Sequence, residues 1–128
     1  MSQRTISMTV VNASGSPING TAYHWSGDGS NHIASPSPAL AVNLAPFGPT
    51  DAVASNDIEV RSNHDDYWFW QPQNADGPIR CRKNCDGGTV GVCLVVTDTE
   101  LVVVTSNNGV ATQNLPASQA AATHSART

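Results

Sequence analysis

The densest chemistry in this chain lies where His64-Asp65-Asp66 runs into Tyr67-Trp68-Phe69-Trp70. Carboxylates beside aromatic rings suit a saccharide, because a ring stacks on the apolar face of a pyranose while Asp oxygens accept from its hydroxyls. The same rings suit a lipid headgroup interface. Successive side chains on a strand point to opposite faces, so Trp68 and Trp70 share one side, and Tyr67 and Phe69 the other. One pair can then pack while the other is presented. The expectation is that Trp68 and Trp70 face outward, with His64, Asp65 and Asp66 orienting the ligand. The competing arrangement has all four rings filling the two sides of a sandwich strand. Trp25, followed by Ser26-Gly27-Asp28-Gly29-Ser30-Asn31, repeats the combination of ring and acidic loop. It adds Trp25, Asp28 and Asn31 to the candidate binding residues.

Other chemistries fit less well. Asp28, Asn31, Asp65 and Asp66 are hard oxygen ligands for calcium, but their spacing is not the alternation of an EF-hand loop, and solvated turn acids are expected. Cys81-x-x-x-Cys85, Cys93 and the histidines at 24, 32, 64 and 124 include neither a Cys-x-x-Cys pair nor a His pair at zinc-ligand spacing. No metal and no cofactor are expected. Three cysteines cannot all pair within one chain, which favours a reducing compartment, although Cys81 and Cys85 are close enough in sequence to bridge. Cys93, among valines, reads as a small buried hydrophobe. Nucleophile elbow, phosphate loop, zinc-protease and dinucleotide motifs are all absent from the sequence. Asp65 and Asp66, as strand neighbours, point apart and do not make a hydrolase pair. The chain reads as a non-enzyme.

The chain has 128 residues, of which 39% are hydrophobic and only 12% charged. That length supports one domain, and that composition excludes a charge-driven disordered chain or a coiled coil. The formal charge of −4 argues against a nucleic-acid partner. Arg80, Arg82 and Lys83, flanked by Asp76 and Asp86, read as a solvated strand face. No run of apolar residues is long enough for a membrane-spanning helix. The first residues lack the order of a secretory signal, so a cytoplasmic or non-classically secreted protein is expected, unless a leader has been removed.

The elements that must position these residues are strands. Apolar residues recur at every second position, separated by segments of Gly, Pro, Asn, Asp and Ser. The pattern predicts strands at Thr5 to Val11, Ile18 to Trp25, Ala39 to Leu44, Ile58 to Arg61 and Tyr67 to Gln71. It continues with Pro78 to Lys83, which is edge-like, then Thr89 to Thr97, Leu101 to Thr105 and Val110 to Leu115. Thr89 to Thr97 and Leu101 to Thr105 are expected to be central. Asn12 to Pro17 reads as a turn, and Asn108-Gly109 as a hairpin turn of primed type. Eight or nine short strands imply an all-β, two-sheet antiparallel sandwich over residues 3–115, with a barrel as the alternative. Residues 116–128, rich in Ala, Ser and Thr, read as a flexible tail or a short Ala-rich helical stub.

The order of features resembles a family of small β-sandwich domains first described as up-regulated in long-lived nematode insulin-receptor mutants. The likeness rests on Val10-Val11-Asn12-Ala13-Ser14-Gly15, on His24-Trp25 with its Gly-rich loop, and on Asp66-Tyr67-Trp68. It continues through Lys83-Asn84-Cys85-Asp86-Gly87-Gly88-Thr89-Val90 and Ser106-Asn107-Asn108-Gly109. The resemblance implies a sandwich with no assigned enzyme activity. The chain is also similar in size, acidity and aromatic layout to the aegerolysins, which bind membrane lipids and sometimes pair with a pore-forming partner. The aegerolysin Tyr-Trp-Asp-Cys-Pro-Trp segment has Tyr67-Trp68-Phe69-Trp70-Gln71-Pro72 as its counterpart here. Together these readings predict a recognition module for a glycan or a membrane lipid headgroup. A structural, self-assembling homo-oligomeric subunit is the alternative, since strands with few charges can pair edge to edge.

Overall fold

Alternating sequence becomes alternating burial along most of the chain. The structure, a computed structural model, describes residues 3–27, 40–46, 53–61, 65–73, 75, 77–107, 109–117 and 120. Among them are nine strands: β1 (Gln3–Asn12), β2 (Ile18–Gly27), β3 (Leu40–Leu44), β4 (Val53–Arg61), β5 (Asp65–Pro72), β6 (Ile79–Arg82), β7 (Gly91–Val96), β8 (Glu100–Thr105) and β9 (Gly109–Asn114). They form two sheets, ordered β4-β1-β7-β8-β9 and β3-β2-β5-β6, and the chain is an all-β sandwich. Ile6, Met8, Val10, Leu94, Val96, Leu101 and Val103 from the first sheet are buried with Ile18, Ala22, Trp68, Trp70, Ile79 and Cys81 from the second. β7 is central and β8 lies beside it, while β6 is an edge strand whose Arg80 and Arg82 are exposed, as its sequence implies.

Three features depart from expectation. The sheets are antiparallel except for β1, which pairs with β7 in parallel, Ser7 facing Gly91 and Val11 facing Val95. A parallel pair needs a long crossover, and here the chain runs through β2 and β3 of the second sheet, β4 of the first, and β5 and β6 of the second before it returns as β7. β4 begins at Val53 rather than Ile58, because β1 offers partners along its whole length, from Arg4 opposite Val60 to Val11 opposite Val53. Gly109 is already in β9, opposite Thr105, with φ of 96°. That left-handed glycine closes a three-residue hairpin loop rather than a two-residue primed turn. Beyond β9, Leu115 is buried, and the Ala120 N–H donates to the Pro116 carbonyl at 2.8 Å, with Ala120 packed against the core. Residues 121–128 lie outside the described residues.

A buried polar knot fixes the β1–β2 turn. Asn12 Nδ2 donates to the carbonyls of Ser16, Leu44 and Ala45 at 2.8, 3.1 and 3.1 Å, while its Oδ1 accepts from the Ser14 N–H and hydroxyl. One amide thereby ties the end of β1 to its own turn and to the end of β3, and its burial leaves no unmet hydrogen bond.

Candidate functional site

The pleat turns Trp68 and Trp70 inward. Both are 0% exposed, which corrects the expectation that these indoles face solvent. The deciding strand is β2, where Ile18 and Ala22 belong to the core and Gly20 lies between them. Gly20 has no side chain, and the Trp70 indole fills that space so closely that a Cβ there would sit 2.9 Å from it and 2.2 Å from the Gln71 carbonyl oxygen. Trp68 keeps its polar atom satisfied inside, donating Nε1–H to the Lys83 carbonyl at 2.8 Å.

The other parity forms the outer face. In register, Tyr23 lies opposite Phe69 and Trp25 opposite Tyr67 across β2 and β5, with Arg80 and Arg82 next to Phe69 and Tyr67 on β6. Tyr23 stacks on Phe69 with ring centroids 4.8 Å apart and planes 9° from parallel. Trp25 meets Phe69 edge-on at 5.6 Å. The Arg80 guanidinium carbon lies 5.2 Å from the Tyr67 centroid, within cation–π range. Phe69 is buried under its neighbours, whereas Tyr23, Trp25 and Tyr67 are half-buried. Desolvation pushes the Tyr23 phenol above its ordinary pKa.

Polar groups bracket these rings. At one end Asp65 Oδ1 accepts from Arg82 Nη2 at 2.9 Å and from Asn84 Nδ2 at 3.0 Å. Toward the other, a groove of about 360 Å³ is lined by Thr21, Gln71, Asn19 and Gln73, together with Gly20 and Pro72. Asn19 Nδ2 donates to Gln73 Oε1 at 2.7 Å there. Strand geometry spaces these rows by about 6.8 Å, so rings, guanidiniums, hydroxyl and amides follow one another along a single face.

Asp66 and His24 point into the molecule, so Asp66 is not a ligand-orienting carboxylate. His24 Nε2 meets Asp66 Oδ1 at 2.8 Å, with side chains 3% and 1% exposed. The other carboxylate oxygen accepts the Cys85 N–H at 2.9 Å, and the Asp66 N–H donates to Asn84 Oδ1 at 2.9 Å. His24 also packs against Trp68, with centroids 4.5 Å apart. This buried pair latches the segment after β6 onto the end of β5. Burial closes the pair off from solvent.

Of the remaining expected site residues, Trp25 and Asp65 belong to the outer face, while Asp28, Asn31 and His64 lie outside the described residues. Tyr23, Tyr67, Phe69 and Arg80 were not singled out as binding residues. The signal that finds them is the apolar parity of Ile18 and Ala22, which places Tyr23 and Trp25 on the opposite side. Cys81, Cys85 and Cys93 form no disulfide, and Cys93 is half-buried on the outer side of β7 rather than in the core. Its odd position opposes the buried Val92 and Leu94, and desolvation raises its thiol pKa, as it does that of Cys81. Among the described residues no three His, Cys, Asp or Glu side chains gather at one point. A scan of family models finds none that matches the chain, and a search of curated proteins finds no matching relative.

Proposed function

We propose that this chain is a non-enzymatic recognition module that takes a saccharide ring, carried by a free glycan or a glycolipid headgroup, on the outer face of β2 and β5. One observation carries the reading. The outer side of a sandwich sheet is ordinarily polar, yet Tyr23, Trp25, Tyr67 and Phe69 are gathered on this one, beyond the needs of the core. Packed against each other, the rings are held rigid, which lowers the entropy lost on binding. Tyr67 and Trp25 supply the stacking surface, Asp65 accepts from hydroxyls, and Thr21, Gln71 and Asn19 supply further donors and acceptors.

A glycan array and vesicle sedimentation test this together, using phosphatidylcholine vesicles with and without a glycolipid. Retention on glycans or glycolipid vesicles, lost in Trp25→Ala and Tyr67→Ala but kept in Cys93→Ser on the opposite sheet, supports the site. Binding unchanged by both aromatic variants, or binding to plain vesicles alone, refutes it.

A second reading, self-assembly, draws on β9. This edge strand is largely exposed, carries no charged residue, and presents Val110 at 59% exposure. Uncharged edges are templates for pairing. A concentration-dependent dimer abolished by Val110→Lys would favour it, and a monomer at millimolar concentration would remove it.

A further inference from the structure

Resting on that reading, we infer that the saccharide bound at this face is acidic and that its carboxylate is received by Arg80. The guanidinium of Arg80 is exposed on edge strand β6, level with Phe69 and beside the Tyr67 ring. It has no carboxylate partner among the described residues, whereas Arg82, two positions on, is engaged by Asp65 at 2.9 Å. The two arginines therefore differ in role. Arg82 is held by an acid of its own sheet, and Arg80 offers its charge to whatever lies on the rings.

A guanidinium resting at an aromatic face is partly oriented before a ligand arrives, and its planar fork matches a carboxylate with two parallel hydrogen bonds. A uronic or sialic acid joins both halves of this arrangement, because its carboxylate projects from the edge of the ring that would stack. A neutral sugar leaves the charge of Arg80 unused. A polyphosphate chain is disfavoured, since among the described residues of this face Arg80 is the one guanidinium without a carboxylate partner, and the whole chain carries a net charge of −4.

Calorimetric titration with galacturonate oligomers, their methyl esters, sialyllactose and single-stranded RNA separates the outcomes. Methyl esterification removes the charge and keeps the ring. The expected result is that an acidic saccharide binds about tenfold or more tighter than its neutral counterpart, the factor one charge-assisted hydrogen bond supplies. Arg80→Gln should erase that preference while leaving weak binding of the ester, and its far-ultraviolet dichroism and melting temperature should match the parent. Equal binding of acid and ester overturns the inference and leaves saccharide recognition standing. Binding of none of these saccharides overturns it too, and if the glycan array is also blank, recognition itself falls. Preferential binding of RNA refutes both.

Discussion

Replacing Asp66 with Ala should loosen the junction between the two sheets at the β6–β7 crossover. The substitution removes the acceptor from two donors at once, His24 Nε2 at 2.8 Å and the Cys85 N–H at 2.9 Å. Leaving a buried donor without its acceptor costs about 1–3 kcal/mol, and two donors lose theirs here. The main-chain bonds of Asp66, to Asn84 Oδ1 at 2.9 Å and from the Lys83 N–H at 3.1 Å, survive in the variant and hold the loss below global collapse. An expected loss of about 2–6 kcal/mol follows, a large part of the about 5–15 kcal/mol that a domain possesses. Asp66→Asn keeps the shape and one carbonyl oxygen, so it should lose about half as much. Urea unfolding followed by indole fluorescence gives both values from the midpoints at a common slope. A cycle with His24→Phe, which retains packing on Trp68, should show coupling of about 1–3 kcal/mol. A loss below about 1 kcal/mol in Asp66→Ala, or strict additivity in the cycle, would refute the latch.

Further expectations follow from packing and charge. Gly20→Ala places a methyl 2.2 Å from a main-chain oxygen, which the sheet cannot yield, so its melting temperature should fall further than that of any surface variant tested in parallel. Trp68→Ala and Trp70→Ala should each lose about 3–5 kcal/mol in urea unfolding. Trp25→Phe should change stability little, and acrylamide should quench the two remaining indoles poorly; strong residual quenching would contradict their enclosure. Asp86 accepts from Asn107 Nδ2 at 3.0 Å and the Gly88 N–H at 2.8 Å, and these bonds lower its pKa from the ordinary 3.8. Because the folded-state value is depressed, its contribution is present above that ordinary value and lost as pH falls through the folded one. The melting-temperature gap between parent and Asp86→Ala should therefore hold at neutral pH and narrow below pH 3.8; a gap that widens in acid would contradict it.

The strands were legible because most of them carry one apolar parity. In β1, Ile6, Met8 and Val10 alternate with Thr and Ser, and only one face can be buried. β5 lacks that asymmetry. Rings occupy both parities, and so do the carboxylates, Asp66 with Trp68 and Trp70 and Asp65 with Tyr67 and Phe69, so nothing within β5 decides which side is buried. What reverses the assignment is a long-range partner, His24 on β2, together with the gap at Gly20 that admits Trp70. Neither is visible within β5 itself. The parallel β1–β7 pair and the extended start of β4 were hidden for the same reason, since each depends on which strand becomes the neighbour. The aromatic platform was half legible: Trp25 and Asp65 were named, and Tyr23, Tyr67 and Phe69 follow only once the faces of β2 and β5 are fixed.

The most direct test of the binding face is a titration of isotope-labelled protein with galacturonate and galactose oligomers, observed by amide and indole N–H correlation spectra. The expected result is saturable movement of the Trp25 indole signal and of the amides of Tyr23, Tyr67 and Phe69, with the Trp68 and Trp70 indole signals nearly still. Shifts confined to the outer side of β7 and β8, or movement of Trp68 and Trp70 without Trp25, would contradict a saccharide site on β2 and β5.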